Sequence, residues 1–355
     1  MNSKFWTGKR VLVTGHTGFK GGWLMCILSM LGARAFGYSD ELKPSPSAYD
    51  IWAKHERKDG DECFGDIADL EKLRNFADKV KPDVVLHLAA QPLVLESYDD
   101  PIKTLSANVM GTANVMEVCR YIETLKSVII VTTDKVYKVG DQPKAYDEQD
   151  PLGGNDVYSA SKAACELVFE SYRLSFFQEE DLGRKVGVAS VRAGNVVGGG
   201  DWADNRLIPD LIRAQKAGEQ CLIRHPHATR PWQHVLDPLH GYLMLAEKLA
   251  CESGFDGAWN FGPDASNVFE VKGVVDQVCT YFEGLDVVYE DSQTKAPVET
   301  KFLAINSAKA QEQLGWSSAL DFERTIEETC RWYDAKDDEE RKTITQQQIG
   351  LVWKV

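Results

Sequence analysis

The segment Thr14-Gly15-His16-Thr17-Gly18-Phe19-Lys20-Gly21 restricts what this chain can fold into more than any other stretch. It follows a short apolar run, Val11-Leu12-Val13, and opens a helical pattern that reaches Leu31. Glycines three residues apart between a strand and a helix divide the work. Gly15 permits a tight turn, Gly18 lets the backbone approach a bound anion, and Gly21 permits close packing of helix on sheet. The first helical turn leaves N–H groups unpaired at the positive end of the dipole, so the loop, with Thr17 and Phe19 in it, reads as a pyrophosphate cradle.

Short apolar runs alternate with longer helical patterns around this loop. Ala33 to Tyr38, Asp83 to Leu88, Val128 to Val131 and Val186 to Val191 read as strands. Leu70 to Val80, Asn108 to Tyr121 and Tyr158 to Phe177 read as helices. Continuous apolar strands separated by amphipathic helices mean a parallel sheet covered on both faces. The expected fold class is α/β, a doubly wound parallel Rossmann-type sheet. After Gly194 the rhythm breaks, and Gly198-Gly199-Gly200 begins an irregular region. Residues 1–194 are therefore expected to bind the dinucleotide, with a strand near 259–262 returning to that sheet. Residues 195–340 would form a smaller C-terminal substrate domain. Leu314 to Tyr333 reads as broadly helical, and 341–355 reads as a tail without a clear pattern.

Composition excludes several classes. The chain has 355 residues, 43% of them hydrophobic, enough for a large core. Its formal charge is −14 and its basic residues are scattered, so no surface for nucleic acid or anionic lipid is expected. No apolar stretch reaches the roughly 18 residues that span a bilayer, and the N-terminus lacks the order of a signal peptide. Eight cysteines stand singly, without a Cys-x-x-Cys pair, which fits reduced thiols in a cytoplasmic protein and no metal site.

Two groups of residues carry chemistry. Asp40 lies 19 positions after Gly21, where an acidic group can accept from both hydroxyls of a ribose; a solvated turn residue is the alternative. With no Arg beside it, the cofactor is expected to be NAD. The small side chains of Ala89 and Ala90 leave room for the dinucleotide over the sheet edge. Tyr158 and Lys162 stand one helical turn apart, in the only Tyr-x-x-x-Lys of the chain. A nearby cation favours phenolate, and a shift of about three pKa units needs roughly 4 kcal/mol. Such a tyrosine can take a proton from a hydroxyl while hydride leaves the same carbon. Thr133, Asp134 and Lys135 end a buried strand, offering a hydroxyl, an acid and a base side by side.

The loop, the Tyr-x-x-x-Lys pair and the length resemble the extended short-chain dehydrogenase/reductase family. The Thr133-Asp134-Lys135 triplet is similar to its sugar-nucleotide 4,6-dehydratase branch. Gly15 to Gly21, Pro151-Leu152-Gly153-Gly154, Arg192 to Trp202, Arg206 to Asp210 and Arg230 to Val235 resemble the members acting on CDP-glucose. The similarity runs from about Phe5 to Trp332. It implies a lyase with tightly held NAD, in which Thr133, Asp134, Lys135, Tyr158 and Lys162 are catalytic. Asp66 and Ile67 would flank the adenine, and Asn108 would sit behind the nicotinamide. Asn195, Arg206, Arg230 and His234 would surround the sugar nucleotide, and the helices around 108–121 and 158–177 would form a homodimer interface. Lys20 stands where most extended members are apolar, and the loop Lys138 to Ala145 is short. A lysine in the triplet also occurs in C5-inverting dehydratases acting on UDP-N-acetylglucosamine. A catalytically silent NAD-binding sensor remains the alternative of another class.

Overall fold

The computed structural model describes residues 3–140, 144–178, 182–263, 268–290 and 303–353. Its centre is a seven-stranded sheet built from β1 (Arg10–Thr14), β2 (Arg34–Ser39), β3 (Glu62–Phe64), β4 (Val84–His87), β5 (Ser127–Val131), β6 (Gly187–Arg192) and β7 (Gly257–Asn260). The spatial order is β3-β2-β1-β4-β5-β6-β7, and every pairing is parallel. The doubly wound sheet read from the sequence is the one observed.

Neighbouring residues on each strand supply different cores, which is why these strands lack polar alternation. Val11, Val13, Ile129 and Val191 pack with Trp23, Leu24 and Ile27 of α1 (Phe19–Met30) on one face. Leu12, Val85, Val128 and Ile130 pack on the other with Leu73 and Phe76 of α2 (Leu70–Val80) and Val115 and Val118 of α3 (Gly111–Tyr121). All five residues of β5 and all six of β6 are buried. The strand order reverses direction between β1 and β4, so a crevice opens at their carboxyl ends, where sheets of this kind bind ligands.

The helix α4 (Val157–Phe176) begins at an Asp156 cap whose carboxylate accepts from the Ser159 N–H at 2.8 Å. Beyond β6 the chain forms a smaller layer over the crevice. A three-stranded sheet, Asn195–Val197, Thr229–His234 and Val268–Glu270, is flanked by α5 (Leu207–Ala217), α6 (Leu236–Cys251) and α7 (Phe322–Tyr333). The segment from Leu314 to Tyr333 is not one helix. Gly315 ends the preceding helix in the left-handed region at φ 67°, and Asp321 caps α7.

The end of the chain, where the sequence pattern was unreadable, forms α8 (Asp338–Val352). Its buried face is Arg341, Ile344, Thr345, Gln348 and Ile349, helical in spacing but largely polar in type. That is why hydrophobic periodicity does not reveal it. Of the loop Lys138 to Ala145, residues 141–143 lie outside the described residues, as do 354–355 of the tail. Among the described residues, no helix is long and apolar enough to cross a membrane.

Candidate active site at the carboxyl edge of the sheet

The glycine loop closes around backbone, with no room for side chains. Gly15 sits at φ +73°, and a Cβ there would lie 2.7 Å from the Ala89 nitrogen. A Cβ on Gly21 would lie 2.0 Å from the Gly15 carbonyl oxygen. Gly18 is the N-cap of α1 and has no side-chain cap, so the first N–H groups of the helix keep their capacity for an anion. Phe19 is half-buried, its ring close to Gly198 of the second layer.

Thr14 ties the two strands at the crevice together. Its hydroxyl bonds the His87 imidazole at 2.7 Å and accepts from the Leu88 and Ala89 N–H groups, each at 3.2 Å. Burial pushes the His87 pKa down to about 3, so this ring is neutral. Thr17 ties the loop to the segment after β2, donating its hydroxyl to the Glu41 carbonyl at 2.7 Å. Asp40 is exposed immediately after β2 and lies 3.5 Å from the Lys43 ammonium. Asp66 is exposed after β3, Ile67 is buried against Gly111, and Ala89 and Ala90 are half-buried beyond β4.

Thr133, Asp134 and Lys135 leave β5 in one tight turn. The Asp134 N–H donates to the Ala193 carbonyl at 3.1 Å, and the Thr133 hydroxyl donates to the Asp134 carboxylate at 2.9 Å. Burial raises the Asp134 pKa, opposed by Lys135, the Thr133 bond, Arg230 and Lys20. A carboxyl whose pKa is raised by burial is the kind that can act as an acid. Tyr158 is buried at the start of α4 with Thr133 within hydrogen-bonding reach, although 25 positions separate them in the chain. On the substrate side, Asn195 is half-buried, and Arg206 donates to Asp201 at 2.7 Å. Arg230 is buried near Asp134.

The phenol is desolvated. Burial pushes the Tyr158 pKa up to about 12, offset in part by Thr133 and Arg206, with Asp134 raising it further. Lys162 instead donates to the Val131 carbonyl at 3.2 Å, and burial lowers its own pKa. Reaching phenolate near neutral pH therefore takes about 7 kcal/mol from charge brought in with the ligands.

A family model described as GDP-mannose 4,6 dehydratase matches residues 12–329. The chain belongs to the GDP-mannose 4,6 dehydratase family. A CDP-glucose 4,6-dehydratase of Salmonella typhimurium is 42% identical over 337 residues, covering 94% of this chain and 93% of that protein. A human dTDP-D-glucose 4,6-dehydratase is 26% identical over 92% of this chain and 90% of its own length. Among solved structures, the dTDP-glucose 4,6-dehydratase DesIV from Streptomyces venezuelae, with NAD and TYD bound, has a TM-score of 0.75. It is 22% identical, covering 92% of this chain and 97% of its own. The epimerase Mth375 from Methanothermobacter thermautotrophicus has a TM-score of 0.80 at 23% identity, covering 97% of this chain and 96% of its own. At these identities the solved structures speak to the fold.

Two residues assigned from the resemblance to this dehydratase family are enclosed in the fold. His234 is fully enclosed, with its ring centre 6.1 Å from that of Trp23 and its Nδ1 accepting from the Leu236 N–H. Burial takes its pKa down to about 3. It is a neutral wall behind the site, with no surface to offer a sugar nucleotide. Asn108 lies in a wide helical turn, Ser106–Met110, and all of its side-chain polar atoms are engaged. It accepts from the Gln91 N–H at 2.8 Å and donates to Ser161 at 2.8 Å and to the Gln91 carbonyl at 3.1 Å. It braces α4 from behind and has nothing free for a cofactor.

Sequence reasoning missed a buried network beneath the chemistry. Glu166, one turn after Lys162, accepts from Thr132, from Ser190 at 2.7 Å and from Arg192 at 2.7 and 3.0 Å. Arg192 also donates to the Tyr137 hydroxyl at 2.8 Å, which in turn donates to Asn260 of β7 at 2.7 Å. This ties β5, β6, β7 and α4 into one floor, so the catalytic turn and Tyr158 keep a fixed relation. The available signal was Arg192, the one charged residue of the wholly buried β6. His16 was missed for a similar reason. Its ring bonds Ser39 and Glu62, and it occupies the space where a Cβ on Gly37 would be 2.2 Å away.

Proposed function

We propose that this family member is an NAD-dependent CDP-glucose 4,6-dehydratase, which converts CDP-D-glucose to CDP-4-keto-6-deoxy-D-glucose and water. The observation that carries the reading is the Asp134–Lys135 pair, an acid and a base beside the Thr133–Tyr158 oxidation site. The relative at 42% identity supports CDP-glucose as the substrate. The Gly15–Gly21 loop fits a pyrophosphate, because its helix starts at Gly18 without a side-chain cap and leaves its first N–H groups for an anion. Asp40 would take the adenosine ribose, Asp66 and Ile67 the adenine, and Ala89 and Ala90 the passage over β4. NAD+ held there would supply the hydride acceptor for C4 of the glucosyl unit and the hydride donor for C6.

The side chains do the rest. Tyr158 accepts the C4 hydroxyl proton while Thr133 aligns that hydroxyl, and the resulting ketone acidifies the hydrogen on C5. The Lys135 amine takes the C5 proton as the C5–C6 double bond forms. Asp134 gives its proton to the departing C6 hydroxyl, which leaves as water. Lys135 then returns a proton to C5. Arg230 and Arg206 would hold the diphosphate, since a guanidinium donates to two oxygens at once.

In this reading residues 1–194, with β7, hold the cofactor, and most of 195–340 holds the nucleotide sugar. Ile102, Leu105, Met110, Leu167 and Leu174 are large apolar residues exposed on and beside α3 and α4. We place a homodimer interface there, because an apolar area of this kind is seldom left in water. Eight unpaired cysteines suit a reducing cytoplasm.

Two results are expected in solution. Because the Asp40 carboxylate would repel a 2′-phosphate, NAD+ binds about tenfold or more tightly than NADP+ by calorimetry. Lys43 blunts the effect without reversing it. Equal affinities would remove Asp40 from this role. Among CDP-, dTDP-, UDP- and GDP-glucose, the CDP sugar gives the highest kcat/KM for a 4-keto product, and preference for another base would refute the substrate assignment.

A further inference from the structure

The turn that leads into α5 carries a buried carboxylate with no part in the chemistry. Arg206, the N-cap of α5, is half-buried, and its guanidinium donates to one oxygen of the Asp201 carboxylate at 2.7 Å. The other oxygen accepts from the Ala203 N–H at 3.1 Å. Asp201 is buried with both oxygens engaged, so its side chain serves the protein and not a ligand. Among the described residues, no other side chain bonds the Arg206 guanidinium. Asn205, directly before Arg206, adopts the left-handed region at φ 60°, a conformation uncommon outside glycine that persists where the surroundings enforce it.

The surroundings of this turn are rigid. The Trp23 indole of α1 donates to the Gly199 carbonyl at 2.9 Å, and the Tyr333 hydroxyl of α7 donates to the Asp201 carbonyl at 2.5 Å. The Trp202 indole donates to the Pro46 carbonyl at 2.7 Å, and Arg213 of α5 donates to the Trp202 carbonyl at 2.8 Å. Asp201 is therefore a fixed point for the arginine bonded to it. A carboxylate beside a diphosphate anchor acts in two opposite ways. Its charge repels the anion, while its hydrogen bond removes side-chain freedom that the arginine would otherwise lose on binding. Pairing at 2.7 Å spends the charge on the guanidinium, which leaves the ordering effect as the larger one.

We propose that Asp201 is a positioning residue for the nucleotide sugar, holding the Arg206 guanidinium in place for the diphosphate before the substrate arrives. This rests on reading the chain as one that takes a nucleoside-diphosphate sugar with Arg206 at the diphosphate.

The test measures CDP, CMP and NAD+ binding by calorimetry for the parent, Asp201→Asn, Arg206→Gln and the double variant. Asp201→Asn keeps the size of the side chain and removes its charge. It weakens CDP about fivefold and leaves CMP and NAD+ within about twofold. Arg206→Gln weakens CDP about tenfold or more, again with little change for CMP. The double variant binds CDP as Arg206→Gln does, because Asp201 acts only through that arginine. Tighter CDP binding by Asp201→Asn would show that the carboxylate acts by repulsion alone, and would overturn the proposal. Equal losses for CDP and CMP, loss of NAD+ binding, or additive losses in the double variant would overturn it as well, by making Asp201 a general support of the fold. An Arg206→Gln variant that binds CDP as the parent does would instead remove Arg206 from the diphosphate, and the proposal with it.

Discussion

Tyr158→Phe is expected to lower oxidation at C4 by about 100- to 10,000-fold, the range over which a positioned proton acceptor acts. The ring stays in its buried place at the start of α4. Thr133 keeps Asp134 as its hydrogen-bond partner, so folding should survive. The cradle is built from glycine backbone remote from the phenol, so NAD+ binding should survive as well. The phenol begins with its pKa pushed up to about 12 by burial. Its proton affinity therefore has to be matched by charge arriving with the ligands. Stopped-flow absorbance of the reduced dinucleotide reads the step directly. Turnover near the parent rate would mean that another group accepts the C4 proton.

Lys135→Met is expected to separate the two halves of the reaction. The substitution keeps most of the side-chain length and removes its basicity. Lys135 is half-buried, and its backbone N–H, which bonds Thr133 at 3.4 Å, is untouched. C4 oxidation needs Tyr158, Thr133 and the dinucleotide, so reduced dinucleotide should still appear on mixing with CDP-glucose. Loss of water needs a base at C5, so product release should fall about 100-fold or more. Mass spectrometry of the quenched mixture would find little 4-keto-6-deoxy sugar. Normal dehydration by this variant would remove Lys135 from the mechanism.

Local patterns made the sheet legible. The strand–glycine–helix run from Val11 to Leu31 and the buried runs at Val84 and Val128 are contiguous signals, and contiguous signals survive without a structure. A strand near 259–262 was readable as well, and Gly257–Asn260 pairs beside β6 across some 65 residues of intervening chain. The triplet and the Tyr-x-x-x-Lys pair were legible as types. Their approach through Thr133 depends on β5 and α4 lying side by side.

What stayed hidden depends on burial and partners. His234 has the look of a ligand in Arg230 to Val235, yet its ring is fully enclosed beside Trp23 of α1, a neighbour from the other end of the chain. Asn108 shows no partner in sequence, and Gln91 and Ser161 reach it only in the fold. Glu166 and Arg192 are ordinary charges in sequence and a buried pair at 2.7 Å in the fold. Burial raises the Tyr158 pKa, while Lys162 donates to the Val131 carbonyl, and neither partner shows in the sequence. The helix Asp338–Val352 buries Arg341, Thr345 and Gln348, residue types that ordinarily mark a solvated face.

The central claim, a dehydration across C5 and C6 of CDP-glucose, is tested most directly in heavy water. The parent protein is incubated with CDP-glucose and NAD+, and the nucleotide-sugar product is examined by mass spectrometry and NMR. The account predicts a product that has lost one molecule of water, with one deuterium at C5 and the substrate's C5 configuration retained. The deuterium arrives because the Lys135 amine exchanges with solvent before returning a proton. A product that keeps all of its oxygen, an epimer or a simple ketone, would contradict the account, and inversion at C5 would assign the chain to the C5-inverting dehydratases.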